Sequence, residues 1–73
     1  MDDYFAARFI RKRREELGFS QEDLARLCGV SQQTISRFES GERFPSVLTL
    51  WRLSLALDAE PSDFFEWGEF DCA

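Results

Sequence analysis

The chain has 73 residues, 44% hydrophobic and 15% aromatic, enough for one small core without metal or disulfide support if the elements are helices. It has no histidine, and its two cysteines, Cys28 and Cys72, are widely separated; this argues against a zinc site or a secreted disulfide framework and points to the cytoplasm, and no cofactor is expected. A net charge of -5 argues against a simple basic nucleic-acid binder, and neither a signal peptide nor an apolar run of membrane-spanning length is apparent.

Capping residues and glycines divide the chain into five short helical segments, and no stretch alternates long enough to read as a strand. The first runs from about Asp3 to Leu17, capped by Asp2 or Asp3 and stopped by Gly18. Ala6, Ile10, Arg14 and Leu17 share its apolar face, and an arginine on such a face requires a partner. The second starts at Ser20, with Asp23 completing an acidic capping box. It buries Leu24, Ala25, Leu27 and Cys28 and ends at Gly29. Ser31 caps the third, which ends at Gly41. The fourth follows Pro45, is capped by Ser46 and runs to about Leu57. The fifth begins with Pro61 at its first position and carries Phe64, Phe65 and Trp67. Cys28 reads as a small core residue and Cys72 as an incidental free thiol.

Only Gly29 and Val30 separate Cys28 from the Ser31 cap. So short a turn fixes the second and third helices at a steep angle. Ala25 is small where they must approach, and Gly29 takes the positive φ the turn needs. Val30, Ile35 and Phe38 anchor the third helix. Its opposite face carries Gln32, Gln33, Ser36, Arg37 and Ser40. A solvated helix more often shows Glu and Lys at such positions. Glutamine offers a donor and an acceptor on one planar group, which matches adenine N6 and N7 in the DNA major groove, and Arg37 one turn on suits a guanine edge or a phosphate.

Charge distribution leaves room for this reading. Residues 1–43 hold eight Lys and Arg against eight Asp and Glu, whereas residues 44–73 hold one Arg against six acids. The amino-terminal part is therefore neutral, and the acidic excess lies in the carboxy-terminal third. The run Arg11-Lys12-Arg13-Arg14 reads as a solvated face neutralised in part by Glu15 and Glu16.

Residues 21–40, QEDLARLCGVSQQTISRFES, resemble the helix-turn-helix of the lambda-repressor/Cro/Xre family. Gln21, Ala25, Gly29, Val30, Ile35 and an apolar residue at 38 stand in the family's order and spacing. The likeness extends outward through IRKRREELGFSQ and GERFPSVLTLWRLSLALDAEPSDFF, about residues 5–65. It implies an all-α, compact five-helix lambda-repressor-like fold in a single domain over residues 1–73. It also implies a sequence-specific, non-enzymatic regulator that binds a palindromic operator of double-stranded DNA through its third helix. Gln32, Gln33, Ser36 and Arg37 match the family's base-facing positions. Ser20, Gln21, Ser40 and Arg43 match its phosphate contacts. Arg14 and Glu39 match a pair that bridges the first helix to the end of the third. Three departures stand out. Glu42 occupies a position that is often basic. Arg13 occupies one that is usually apolar, where Phe9 can fill the space. Leu48 and Leu55 replace usually polar residues.

Leu50, Leu53 and Leu57 form one face of the fourth helix, and Leu48, Trp51 and Leu55 a second, displaced by roughly 140° at about 100° per residue. A helix apolar on two faces is buried on both or associates. A symmetric homodimer is expected, built on residues 46–73 through Leu48, Trp51, Leu55, Phe65, Trp67 and Phe70, with Asp58, Glu60, Asp63, Glu66 and Glu69 at its rim. The competing function is a protein-interaction module of the same fold, antitoxin-like or anti-regulator, acting through the acidic, aromatic carboxy-terminal third. An enzyme is the weakest reading, because no histidine, no paired activated nucleophile and no phosphate-cradling glycine loop is present.

Overall fold

The computed structural model describes residues 3–65, with the backbone alone for residues 3 and 4. Within them the chain forms four α-helices, α1 (Asp3–Glu16), α2 (Gln21–Cys28), α3 (Gln32–Ser40) and α4 (Val47–Ala56), followed by a 3₁₀ turn, Pro61–Phe64. Among the described residues there is no strand, and no helix is long and apolar enough to cross a membrane.

The boundaries follow local chemistry. Ser20, Ser31 and Ser46 each accept a bond from the amide three residues on, which meets one orphan donor at the start of α2, α3 and α4. At Ser20 the box is reciprocal: Asp23 N donates to Ser20 Oγ and Ser20 N to Asp23 Oδ2, both at 3.0 Å. Gly29 (φ 72°) and Gly41 (φ 81°) end α2 and α3 in the left-handed region, where a Cβ is disfavoured. Val30 N then returns to Ala25 O at 3.0 Å and Glu42 N to Arg37 O at 3.0 Å, closing both helix ends.

Leu24, Ile35, Leu53, Leu57, Ile10 and Phe64 are fully enclosed at the centre of the core. Each such side chain contributes about 1.5–3 kcal/mol by leaving water. α3 packs on α1 and α2, α2 packs on α4, and the 3₁₀ turn closes against α1 and α4. The edge of Phe64 meets the Phe9 ring at a centroid distance of 4.9 Å. Phe9 is thus partly buried against the core.

Two expectations need correction. The fifth segment is a four-residue 3₁₀ turn rather than an α-helix. Its apolar residues, Phe64 and Phe65, are adjacent and cannot share one helical face. Phe64 enters the core. Phe65 takes an extended backbone (φ -125°, ψ 155°) and lies 5.9 Å from the Phe44 ring. Leu27, expected on the buried side of α2, is 57% exposed. It is one residue out of step with Leu24, Ala25 and Cys28, which already fill the contact with α3 and α4. Trp67, Phe70, Glu66, Glu69 and Cys72 lie outside the described residues, as does Asp2, one of the two candidate caps; the other, Asp3, is the first residue of α1.

Arg13 has a role that its sequence position does not suggest. Its Nε donates to Leu57 O at 2.9 Å, and its Nη2 approaches Asp58 O at 3.4 Å. It thus places a positive charge on the orphan carbonyls at the end of α4, where the helix dipole is negative. Asp58 itself is left-handed, at φ 53°. Arg52 acts similarly at the end of α2, with Nη1 3.4 Å from Cys28 O.

Candidate DNA interface

The first turn of α3 projects from the core on a narrow apolar footing. Ile35 and Phe38 are buried, whereas Gln32, Gln33, Ser36 and Arg37 are exposed on the other side. No acidic residue stands in that first turn, unlike α2 with Glu22 and Asp23. The positive end of the α3 dipole is therefore left unneutralised by its own helix. The Ser31 and Thr34 hydroxyls bond each other at 2.8 Å and serve the cap, so the two glutamines are the long polar groups that this turn presents.

The far end of α3 is held by charge. Arg14 Nε meets Glu39 Oε2 at 2.6 Å and Arg14 Nη2 meets Glu39 Oε1 at 3.2 Å. Arg14 Nη1 also donates to Phe19 O at 2.8 Å. The guanidinium is held further toward its charged form, chiefly by the hydrogen bond to Glu39 and then by the Glu39 and Glu15 charges, with burial opposing. Gln21 adds a third strand to this knot, because its Nε2 donates to Glu39 Oε1 at 3.1 Å. The ends of α1 and α3 and the start of α2 are joined at a single carboxylate. The sequence required a partner for Arg14; the family resemblance named Glu39 as that partner and left Gln21 to phosphate. One of the two Gln21 amide hydrogens is committed inward.

The other sequence-predicted phosphate residues are placed as follows. The Ser20 oxygen accepts from Asp23 N, and its hydroxyl hydrogen is not used by that bond. The backbone amides of Gln21 and Glu22 meet no partner among the described residues. Ser40 Oγ donates to Arg37 O at 3.0 Å and accepts from Glu42 N at 3.3 Å, so its proton would have to turn to serve a phosphate. Arg43 is exposed, and no ion pair engages it among the described residues. Glu42 lies 3.8 Å from Arg37 Nε. Arg11 pairs with Glu15 and Arg13 with Glu16, but the solvated-face reading holds only for Arg11 and Lys12: Arg13 and Arg14 are half-buried and turn inward to Leu57 O and to Glu39. Burial pushes the Cys28 thiol upward, with the Arg52 charge opposing; it stays a core thiol rather than a nucleophile.

Leu48, Trp51 and Leu55 lie well away from the core. They are 59%, 54% and 66% exposed, and Val47 beside them is 86% exposed. On the opposite side of α4, Leu50, Leu53 and Leu57 are buried, so the helix is apolar on two faces and only one is covered within the described residues.

The chain is similar in sequence and in fold to known proteins. A helix-turn-helix family model matches residues 10–64. An uncharacterized HTH-type transcriptional regulator of Methanothermobacter thermautotrophicus is 45% identical over 51 residues, 70% of this chain and 74% of that protein. The restriction-modification controller protein C.AhdI from Aeromonas hydrophila superposes with a TM-score of 0.82 at 34% identity, over 88% of this chain and 97% of its own. The P22 c2 repressor, solved in complex with a synthetic operator, superposes with a TM-score of 0.81 at 34% identity, over 84% of this chain and 92% of its own. With the family model spanning most of the chain and its glutamine-bearing third helix set on the same fold, the chain belongs to the lambda-repressor/Cro/Xre-type helix-turn-helix family of DNA-binding transcriptional regulators.

Proposed function

We propose that this chain is a sequence-specific regulator of Cro or controller type that lays α3 in the major groove of a palindromic operator. The observation that carries the reading is the exposed first turn of α3. It presents Gln32 and Gln33 beside Arg37, has no carboxylate of its own, and stands on a helix fixed at its far end by the buried Arg14–Glu39 pair. Gln32 and Gln33 read base edges, adenine for preference, Ser36 makes shorter polar contacts and Arg37 reads guanine. The free amides at the start of α2, with Ser20 and Gln21, take one phosphate, and Ser40 and Arg43 take another.

A domain of this size reads only a few base pairs. The reading therefore includes a homodimer whose α3 helices lie about 34 Å apart, one DNA turn, on two half-sites. The uncovered α4 face supplies the contact, and the two-fold axis makes the operator palindromic. The same apolar face, together with the net charge of -5, favours a second reading, a protein-interaction module that needs no DNA.

Selection from random duplexes followed by gel-shift titration at two salt concentrations separates them. A DNA regulator enriches one sequence and loses affinity steeply with salt. Gln32→Ala or Gln33→Ala then weakens that site by about 1–3 kcal/mol per lost bidentate contact and leaves random DNA unchanged. Equal weakening on both duplexes rejects base reading, and no enrichment at all favours the interaction module.

A further inference from the structure

Glu42 is an acid at the edge of a surface that has to approach a polyanion. Its carboxylate lies 3.8 Å from Arg37 Nε, with 68% of its own side chain and 45% of Arg37's exposed. Such an exposed pair adds little to stability, so a structural role does not account for it. Its placement is nonetheless fixed. Gly41 reverses the chain at φ 81°. Glu42 N then bonds both Arg37 O, at 3.0 Å, and Ser40 Oγ, at 3.3 Å, and Arg43 N also reaches Arg37 O, at 3.3 Å. The backbone of Glu42 is tied to the carbonyl of the same residue whose guanidinium its carboxylate faces.

A guanidinium has two usable edges. The side edge includes Nε, and the end fork consists of Nη1 and Nη2. Glu42 faces Nε, and among the described residues nothing engages the fork. The fork is the part that matches guanine O6 and N7. On DNA without a guanine at that position, the competing partner for Arg37 is a phosphate. There the Glu42 carboxylate competes for the guanidinium and repels the phosphate.

We propose that Glu42 is a specificity-determining residue. It positions Arg37 to read guanine through its end fork and withholds Arg37 from the phosphates of non-operator DNA. The inference rests on the DNA-reading function above and deepens it.

The test uses the full chain and the duplex recovered by selection. Arg37→Ala first identifies the base pair that Arg37 reads, as the one position where discrimination between G·C and A·T collapses. Glu42→Gln, an isosteric change at an exposed side chain whose cap is made by its backbone, is then titrated on the recovered duplex, on its A·T variant at that position and on a scrambled duplex. The expected result is tighter binding to scrambled DNA and a loss of G·C preference of about fivefold, the low end of what one bidentate base contact is worth. In the Arg37→Ala background the same change tightens all three duplexes equally. The inference is overturned if Glu42→Gln leaves the G·C preference intact, if in the Arg37→Ala background it shifts the three duplexes unequally, or if Arg37→Ala identifies no position. In each of those cases a selected sequence still stands and the sequence-specific regulator survives, in the last case without the Arg37 contact. A wild-type chain that selects no sequence overturns the proposed function as well.

Discussion

Arg14 of α1 and Glu39 of α3 meet side-on, Nε to Oε2 at 2.6 Å, with 12% and 5% of their side chains exposed. Glu39 also accepts from Gln21, so its carboxylate is satisfied from two sides. Removing one member of a pair this enclosed leaves the other charged and unmatched. That loss exceeds what the intact pair contributes.

Arg14→Ala is therefore expected to destabilise the fold by about 3 kcal/mol. In a chain of this length that lowers the melting temperature by more than ~10 °C. A melting temperature equal to wild type would reject the pair as a structural device.

Arg13 supports a different joint. Its Nε bonds Leu57 O at 2.9 Å, and only 29% of its side chain is exposed. Arg13→Leu is expected to cost about 1.5 kcal/mol, the low end for a charged hydrogen bond. Arg11→Leu is the control, since Arg11 makes only an exposed pair with Glu15 four residues on, worth about 0.2–0.5 kcal/mol. Equal melting curves for the two variants would remove Arg13 from the α4 terminus.

The cap of α2 has a pH signature. The Asp23 carboxyl is held below the ordinary carboxylate range, chiefly by the Ser20 amide, then by the Ser20 hydroxyl, with Arg26 helping. Because its folded value is depressed, its contribution is complete above the unfolded value and disappears as pH falls through the folded one. The melting-temperature gap between wild type and Asp23→Ala should be full near neutrality and shrink below about pH 4. A gap unchanged by acid would show that Asp23 acts through its shape rather than its charge.

Sequence was most informative where structure is local. Ser20, Ser31, Ser46, Gly29 and Gly41 set helix ends by bonds to residues within five positions, and such spacing is visible in the sequence. Arg14 was legible because an arginine on an apolar stripe demands a partner. Arg13 was not, because its partner is a backbone carbonyl 44 residues away, and every residue has such a carbonyl. Gln21 was placed on phosphate by resemblance; its turn toward Glu39 depends on how α2 meets α3. The exposure of Leu27 and the split between Phe64 and Phe65 depend on which neighbours arrive first in space. Residue type does not encode that.

The assembly prediction rests on α4. Buried Leu50, Leu53 and Leu57 account for one side of it. Val47, Leu48, Trp51 and Leu55 remain exposed on the other. Scattered apolar residues are ordinary on a protein surface, but a contiguous stripe containing a tryptophan marks a contact. Phe65 is satisfied in part within the chain by Phe44, which leaves Trp51 as the largest exposed apolar group described. Trp51→Glu places a charge at the centre of the stripe. It leaves intact the Trp51 carbonyl, which accepts from Ser54 Oγ at 2.6 Å. The expected product is a helical monomer by circular dichroism and sedimentation, with operator binding much weakened because one half-site is read alone. A stable dimer persists at roughly tens of micromolar. Wild-type chain sedimenting as a monomer at that concentration would overturn the dimer and leave α4 to a different partner.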